Sequence, residues 1–319
     1  MEFNLLIFGS GLIGCRYIQG MINVKLKYNI TVVDSNYLSL ASAKKIWSNS
    51  GGDQSEHSIS WNQELPLKKD KFDLAIISTT SKGRASLINY ISSKVSVNYW
   101  VIEKILAQSK QELDLIKFAT NKAKVAYVNK PFRLMNWHNK FKSKFLNLKP
   151  IKLTVVGGMW DLACCALHYL DLVAWWTGEK LISINTENLS KIWLESKRKG
   201  YYDVTGKLLA KFTGGTELIL ESYPEVNGLD LIVELSNKNI WTIHEEEGTA
   251  FSNNGDTLNG RLEFQSELTG PMVSNILINE TCGLPTLHES AQQHEIFLDA
   301  MLNHWNISNN LNDKLVPIT

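Results

Sequence analysis

The stretch "LLIFGSGLIGCR", Leu5 to Arg16, constrains this chain more than any other. Three glycines, Gly9, Gly11 and Gly14, stand between an apolar run that reads as a buried strand and a pattern that reads as a helix. Gly9 permits a tight turn, Gly11 lets the backbone approach a bound group, and Gly14 lets helix and strand pack closely. The helix N-terminus then presents unpaired N–H groups and the positive end of its dipole to an anion. Twenty residues beyond Gly14, Asp34 closes the next apolar run, "NITVVD". A carboxylate there accepts hydrogen bonds from ribose hydroxyls. Strand, glycine loop, helix and acid together predict a dinucleotide site built from Gly9, Ser10, Gly11, Leu12, Ile13, Gly14 and Asp34. Asp34 repels a 2′-phosphate, and Ser35 and Asn36 follow it rather than Arg or Lys, so NAD is favoured over NADP.

The first third of the chain continues in the same style. "FDLAIIST", "YWVIEK" and "VAYVNK" read as strands, and "YLSLASAKKIW", "GRASLINYIS" and "SKQELDLIKFATNK" as helices. Continuous apolar strands separated by helices predict a parallel sheet covered on both faces. Near residue 150 the pattern changes. "IKLTVVGG" precedes the apolar helix "LACCALHYLDLVAWW", and from about Leu181 to Phe264 the signal is period two, punctuated by Gly214-Gly215, Asn227-Gly228 and Asn254-Gly255. This predicts an open-faced, mostly antiparallel sheet covered by helices, with two more helical stretches closing the chain. The expected fold is α/β plus α+β: a Rossmann domain over 1–123, and a substrate-binding and oligomerisation domain over 124–319.

Bulk properties narrow the function. With 319 residues the chain is long enough for two cores. It is 44% hydrophobic and 20% charged with a formal net charge of +1, which predicts a soluble protein with no field inviting nucleic acid or an anionic membrane. The longest apolar run, Leu167 to Trp176, is broken by His168 and Asp171 and is too short to cross a bilayer. Cys15, Cys164, Cys165 and Cys282 have no metal-ligand spacing, so no metal is expected, and free thiols in a reducing cytoplasm are.

Two further stretches carry chemistry. Glu103 and Lys104 end a predicted strand, and ligands of open parallel sheets bind at strand carboxyl ends, so Lys104 could reach a substrate hydroxyl and exchange its proton. The helix that begins near Asp161 is apolar on nearly every side, so its few polar residues need a reason. Asp161 and His168 share a face, with Asp171 beside His168. Asp161 reads equally as an N-cap or as a substrate contact; His168 as a satisfied core histidine or a proton carrier; Asp171 as structural.

With these residues in view, the chain resembles the Gfo/Idh/MocA oxidoreductases, the glucose–fructose oxidoreductase and inositol dehydrogenase group. The resemblance covers nearly the whole chain: the glycine loop, Asp34, Ser78-Thr79-Thr80 after the fourth strand, Glu103-Lys104, Gly157-Gly158 before the helix with His168-x-x-Asp171, and "WTGE". It implies NAD held also by Ser78, Thr79, Thr80, Glu103 and Lys104, and a sugar or polyol on the open face of the second sheet. It implies catalysis by Lys104 and His168, with hydride passing between a secondary hydroxyl or ketone of the sugar and the nicotinamide. Asn129, Lys130, Arg133, Asp161 and Cys164 would join His168 around the substrate; Trp137 and His138 are lesser candidates. Two positions depart from the family: Ile105 stands where it has a proline after Glu-Lys, and Cys164 where it often has an aspartate. The segment "GLPTLHESAQQHEIFLDAML" resembles members that act on nucleotide-activated sugars of surface-polysaccharide biosynthesis; His288 and His294 within it read as surface or packing groups. A positive pocket near Lys130 and Arg133 would favour such a substrate, and its absence a free polyol or inositol. A non-catalytic NAD(H)-binding sensor or accessory protein is the reading from another class. The resemblance also implies a homodimer or homotetramer.

Overall fold

The computed structural model describes residues 2–66 and 71–319. The chain divides into two compact units. The first comprises Met1–Ala107, Gln111–Pro131 and Glu263–His288, and the second Gln108–Lys110, Phe132–Leu262 and Glu289–Thr319.

In chain order the first unit opens with β1 (Glu2–Phe8), α1 (Leu12–Met21), β2 (Lys27–Val33), α2 (Tyr37–Asn49), β3 (Ser58–Asn62), β4 (Lys71–Ile77), α3 (Arg84–Lys94), β5 (Ser96–Glu103), α4 (Lys110–Ala119) and β6 (Val125–Asn129). The six strands form one parallel sheet in the order β3-β2-β1-β4-β5-β6. Strand interiors such as Leu5, Leu6, Ile7, Leu74, Ala75 and Ile76 are fully buried, as expected when helices cover both faces. The sheet order reverses between β1 and β4, so the glycine loop after β1 opens at the switch point, where such sheets take ligands.

The division differs from the expected break at 123/124. β6 hydrogen-bonds to β5, so the first unit runs on to Pro131. It also recruits a late helix, α7 (Gln265–Asn279), which packs on α1. Gly20 and Gly270 allow that approach: a Cβ on Gly270 would sit 2.9 Å from the Gly20 carbonyl oxygen.

The second unit contains α5 (Asn136–Phe145), β7 (Lys152–Gly157), α6 (Leu162–Thr177), β8 (Leu181–Glu195), β9 (Tyr202–Phe212), β10 (Glu217–Ser222), β11 (Leu229–Glu234), β12 (Ile240–His244), β13 (Thr249–Ser252), β14 (Thr257–Asn259) and most of α8 (Leu287–Asn309). Its eight strands are ordered β14-β13-β12-β11-β7-β10-β9-β8, antiparallel except for β7 beside β10. Along β9, Val204, Leu208, Ala210 and Phe212 are buried while alternate residues remain partly open, so one face is covered and the other is not. α6 packs on β9 and β10 from the covered side. Among the described residues no helix is long and apolar enough to cross a membrane, and no cluster of His, Cys, Asp and Glu is arranged to hold a metal ion.

Candidate active site

The glycine loop has the geometry its spacing predicts. Gly9 sits at φ +97°, a conformation that side chains disfavour, and its N–H donates to the Val33 carbonyl at 2.8 Å. A Cβ on Gly14 would lie 2.1 Å from the Gly9 carbonyl oxygen, so this position admits only glycine without displacement. Gly11 is the N-cap of α1, and nothing lies within 4 Å of the Cβ it lacks. That space, beside the N–H groups of the first helical turn, fits a pyrophosphate. The Ser78 hydroxyl donates to the carbonyls of Gly9 at 2.7 Å and Phe8 at 3.1 Å, which ties the end of β4 to the loop. Ser78 is buried, Thr79 half-buried and Thr80 exposed.

Asp34 follows β2, and its carboxylate is already oriented. Oδ2 accepts the N–H of Ser10 at 2.7 Å and its hydroxyl at 2.9 Å, and Oδ1 accepts the Asn36 N–H at 2.9 Å. Oδ2 spends both lone pairs on Ser10 and Oδ1 keeps one, so the locked group can still accept a ribose hydroxyl. The residues present therefore fit NAD, which Gly9, Gly11, Gly14 and Asp34 would hold.

Lys104 directly follows β5, at the carboxyl edge of the same sheet. The Lys104–Ile105 peptide bond is cis. Glu103 was expected at the cofactor, but its carboxylate points into the unit: it accepts the Tyr17 hydroxyl at 2.5 Å and an amide N–H of Asn129 at 2.7 Å. Burial pushes its carboxyl up from the ordinary range, and these two donors with the nearby charges of Arg84 and Lys104 pull it partly back. Asn129 spends its amide on Glu103 and on Gln265 (2.9 Å). Asn129 and Lys130 are 2% and 0% exposed. The expectation that they present to a substrate is thereby corrected for both: buried acceptors claim Asn129, and Lys130 is enclosed.

In the second unit α6 carries the remaining candidates. On this otherwise buried helix, Asp161, Cys164, Cys165, His168 and Trp175 keep partial exposure and form a stripe along one side. The stripe belongs to the helical side of the sheet, whereas the resemblance implied a substrate on the open face. Asp161 occupies the N-cap position in a left-handed conformation, φ +60° and ψ +54°, and its side chain makes no capping bond. Asp203 of β9 supplies the cap instead, accepting the Ala163 N–H at 2.6 Å. Burial raises its carboxyl to about 6, although the Ala163 and Val204 amides oppose that shift. At the other end Gly178, φ +73°, closes the helix by donating to Ala174 at 2.8 Å.

Arg133, expected at the substrate, is bound to Asp171 through two parallel bonds: Nε and Nη2 each lie 2.8 Å from a carboxylate oxygen. Phe132 stands between two imidazoles, its ring centroid 5.2 Å from that of His168 and 4.4 Å from that of His138. His138 lies 3.2 Å from Glu245, whose other oxygen accepts the Tyr169 hydroxyl at 3.1 Å. Burial lowers the His138 ring to about 3 and raises the Glu245 carboxyl to about 7. The expected substrate group is thus divided: Asn129 and Lys130 belong to the first unit, and Arg133, Asp161, Cys164 and His168 to the second.

Sequence reasoning missed Arg84, Phe132 and Asp203. Arg84 opens α3 and is 1% exposed, with its guanidinium on backbone carbonyls. Nothing in "SKGRASL" separates it from a surface charge.

This two-unit fold with a glycine loop at the switch point is also the fold of solved dinucleotide-binding oxidoreductases. The chain is similar over 96% of its length, and 96% of the other chain, to an oxidoreductase from Agrobacterium radiobacter solved with NAD+, L-tartaric acid and magnesium, with a TM-score of 0.71 and 14% identity. It is similar over 98% of both chains to scyllo-inositol dehydrogenase from Lactobacillus casei with bound NAD(H) and scyllo-inositol (TM-score 0.68, 15% identity). It is also similar to UDP-N-acetylglucosamine 3-dehydrogenase GnnA from Acidithiobacillus ferrooxidans, over 97% of this chain and 98% of that one (TM-score 0.66, 10% identity). No protein-family model and no curated protein sequence matches the chain. The fold is the one the resemblance to the Gfo/Idh/MocA group implied.

Proposed function

We propose that the protein is an NAD-dependent oxidoreductase acting on a secondary hydroxyl or ketone of a free sugar or polyol. The observation that carries this reading is the Gly9–Gly11–Gly14 cradle with Asp34 locked behind it, and Lys104 at the carboxyl edge of the same sheet. NAD supplies the hydride acceptor. Lys104 and His168 hold and move the hydroxyl proton. Asp34 favours NAD over NADP, because its carboxylate would repel a 2′-phosphate.

Solved proteins of this fold include one named for a free inositol and one for a nucleotide sugar. Local charge supports the free substrate. Arg133 is neutralised by Asp171, and Lys130 is buried. The cavity of about 300 Å³ beside Arg133 is lined by Glu179, Lys180 and Glu289 among others, so positive and negative groups balance there. Among the described residues lining that cavity, a diphosphate would find no net positive charge. The open face of the second sheet, with Phe251 49% exposed, supports a homodimer or homotetramer, and four free thiols support a cytoplasmic location.

The test is absorbance in the NADH band with NAD and a panel of free polyols, free sugars and nucleotide sugars. A rise with a free polyol or sugar, abolished in Lys104→Ala and His168→Ala, is expected. A rise with nucleotide sugars alone would overturn the free-substrate reading. NADH binding with no turnover in either direction would replace the enzyme reading with a non-catalytic one.

A further inference from the structure

Arg84 is buried although it is the first residue of a helix, and a buried guanidinium demands partners. It finds three backbone carbonyls. Nη1 donates to Glu103 at 2.6 Å and also to Ile105, and Nη2 donates to Thr79. These acceptors lie in the chain just beyond β4 and at the end of β5. Arginine alone among side chains offers five donors in one fixed plane, so it can hold several carbonyls at once.

Two of the three carbonyls belong to the residues on either side of Lys104. A lysine reaches out on a flexible four-carbon stem, so the place of its ammonium is governed by where its Cα stands and how its Cα–Cβ bond points. Both are set when the carbonyls before and after it are held. Glu103 has a second anchor, since Tyr17 and Asn129 hold its carboxylate from inside the unit. Loss of the guanidinium would therefore release Ile105 and Thr79 and leave Glu103 moored, which concentrates the disturbance at Lys104.

We propose that Arg84 is the positioning residue of Lys104, reading out through the placement of its ammonium at the reacting hydroxyl. This rests on the proton-transfer role proposed above for Lys104. A guanidinium that served only the stability of the loop would lower the melting temperature without altering the surroundings of the lysine head group.

The experiment uses the full chain, reductively methylated with 13C-formaldehyde, so that each lysine gives a dimethylamine resonance. The resonance missing from Lys104→Arg is that of Lys104. Arg84→Gln and Arg84→Lys, both checked for native circular dichroism, are compared with wild type. Arg84→Lys keeps the charge and serves if Arg84→Gln does not fold. A displaced or broadened Lys104 resonance, with the other lysines unmoved, is expected. The same variants should lose about 100-fold in kcat on whichever panel substrate reports turnover, the scale of a misplacement of about 1 Å. NADH binding, followed by fluorescence, should persist. An unmoved Lys104 resonance in a folded Arg84 variant overturns the proposal. Turnover that survives Lys104→Ala overturns the role of the lysine instead, and the resonance still reports whether Arg84 places it.

Discussion

The carboxylate of Asp203 accepts the backbone N–H of Ala163 at 2.6 Å, so the helix that carries His168 is capped from a neighbouring strand and not by the residue before it. Replacing the acceptor with Asp203→Ala should destabilise the protein by about 1 kcal/mol, the worth of a helix cap. Asp203→Asn keeps an acceptor and should behave differently with pH. The fold raises this carboxyl from 3.8 to about 6, so its stabilising contribution is present below 3.8 and lost as pH rises through 6. Thermal unfolding at pH 5 and pH 8 should show Asp203→Asn gaining on wild type at the higher pH. Parallel curves for the two proteins would refute the assignment.

The Arg133–Asp171 pair yields a second expectation. Both side chains are largely shielded, 12% and 1% exposed. Asp171→Ala leaves a guanidinium with its carboxylate gone and should cost on the order of 3–5 kcal/mol. Arg133→Met combined with Asp171→Leu should recover most of that loss. Urea unfolding of Arg133→Met, Asp171→Leu and the double measures it; an additive double mutant would mean the pair is not coupled.

The glycine loop separates packing from ligand approach. Gly14→Ala should disturb the fold, since its Cβ meets the Gly9 carbonyl. Gly11→Ala meets nothing and should leave the melting temperature unchanged. It should nonetheless weaken NADH binding by about tenfold or more, equivalent to about 1.4 kcal/mol. Unaltered NADH affinity in Gly11→Ala would place the dinucleotide elsewhere.

The buried His138–Glu245 pair predicts an alkaline weakness. Burial raises Glu245 from 4.5 to about 7, so the stability it contributes while protonated is lost as pH climbs through 7. Burial lowers His138 from 6.5 to about 3, so its contribution, full above 6.5, is lost as pH falls toward 3. Glu245→Gln, a neutral near-isostere, should flatten the alkaline side of the stability profile and leave the acid side as it is. Denaturation midpoints from pH 5 to 9 decide this.

Much of the first unit could be read from sequence because its signals are local. The run from Leu5 to Gly14 contains strand, turn and helix within a few residues, and Gly14 answers to a contact with Gly9 in its own loop. α5 had a readable signal as well: Trp137, Phe141 and Phe145 recur every four residues, and all are buried. The Asp203 cap was not legible, because forty residues separate it from Ala163. Nor was the Arg84 clamp, whose partners are backbone atoms with no residue identity to recognise. Asp171 could be read as structural from the apolar helix around it, yet its partner Arg133 was assigned to substrate, since one sequence cannot show which of two opposite charges a folded chain brings together.

The late arrival of α7 bears on how this protein can be made. The face of α1 around Gly20 is covered by residues near Gly270, so the first unit is complete only after the chain has passed through the second. During synthesis, α1 can pack on β1 and α2 early, but its face around Gly20 must wait for some two hundred and fifty further residues before α7 covers it. A gene fragment stopped at Pro131 would encode all six parallel strands and still leave that face of the helix uncovered, so the two units cannot be expressed separately by cutting the gene once.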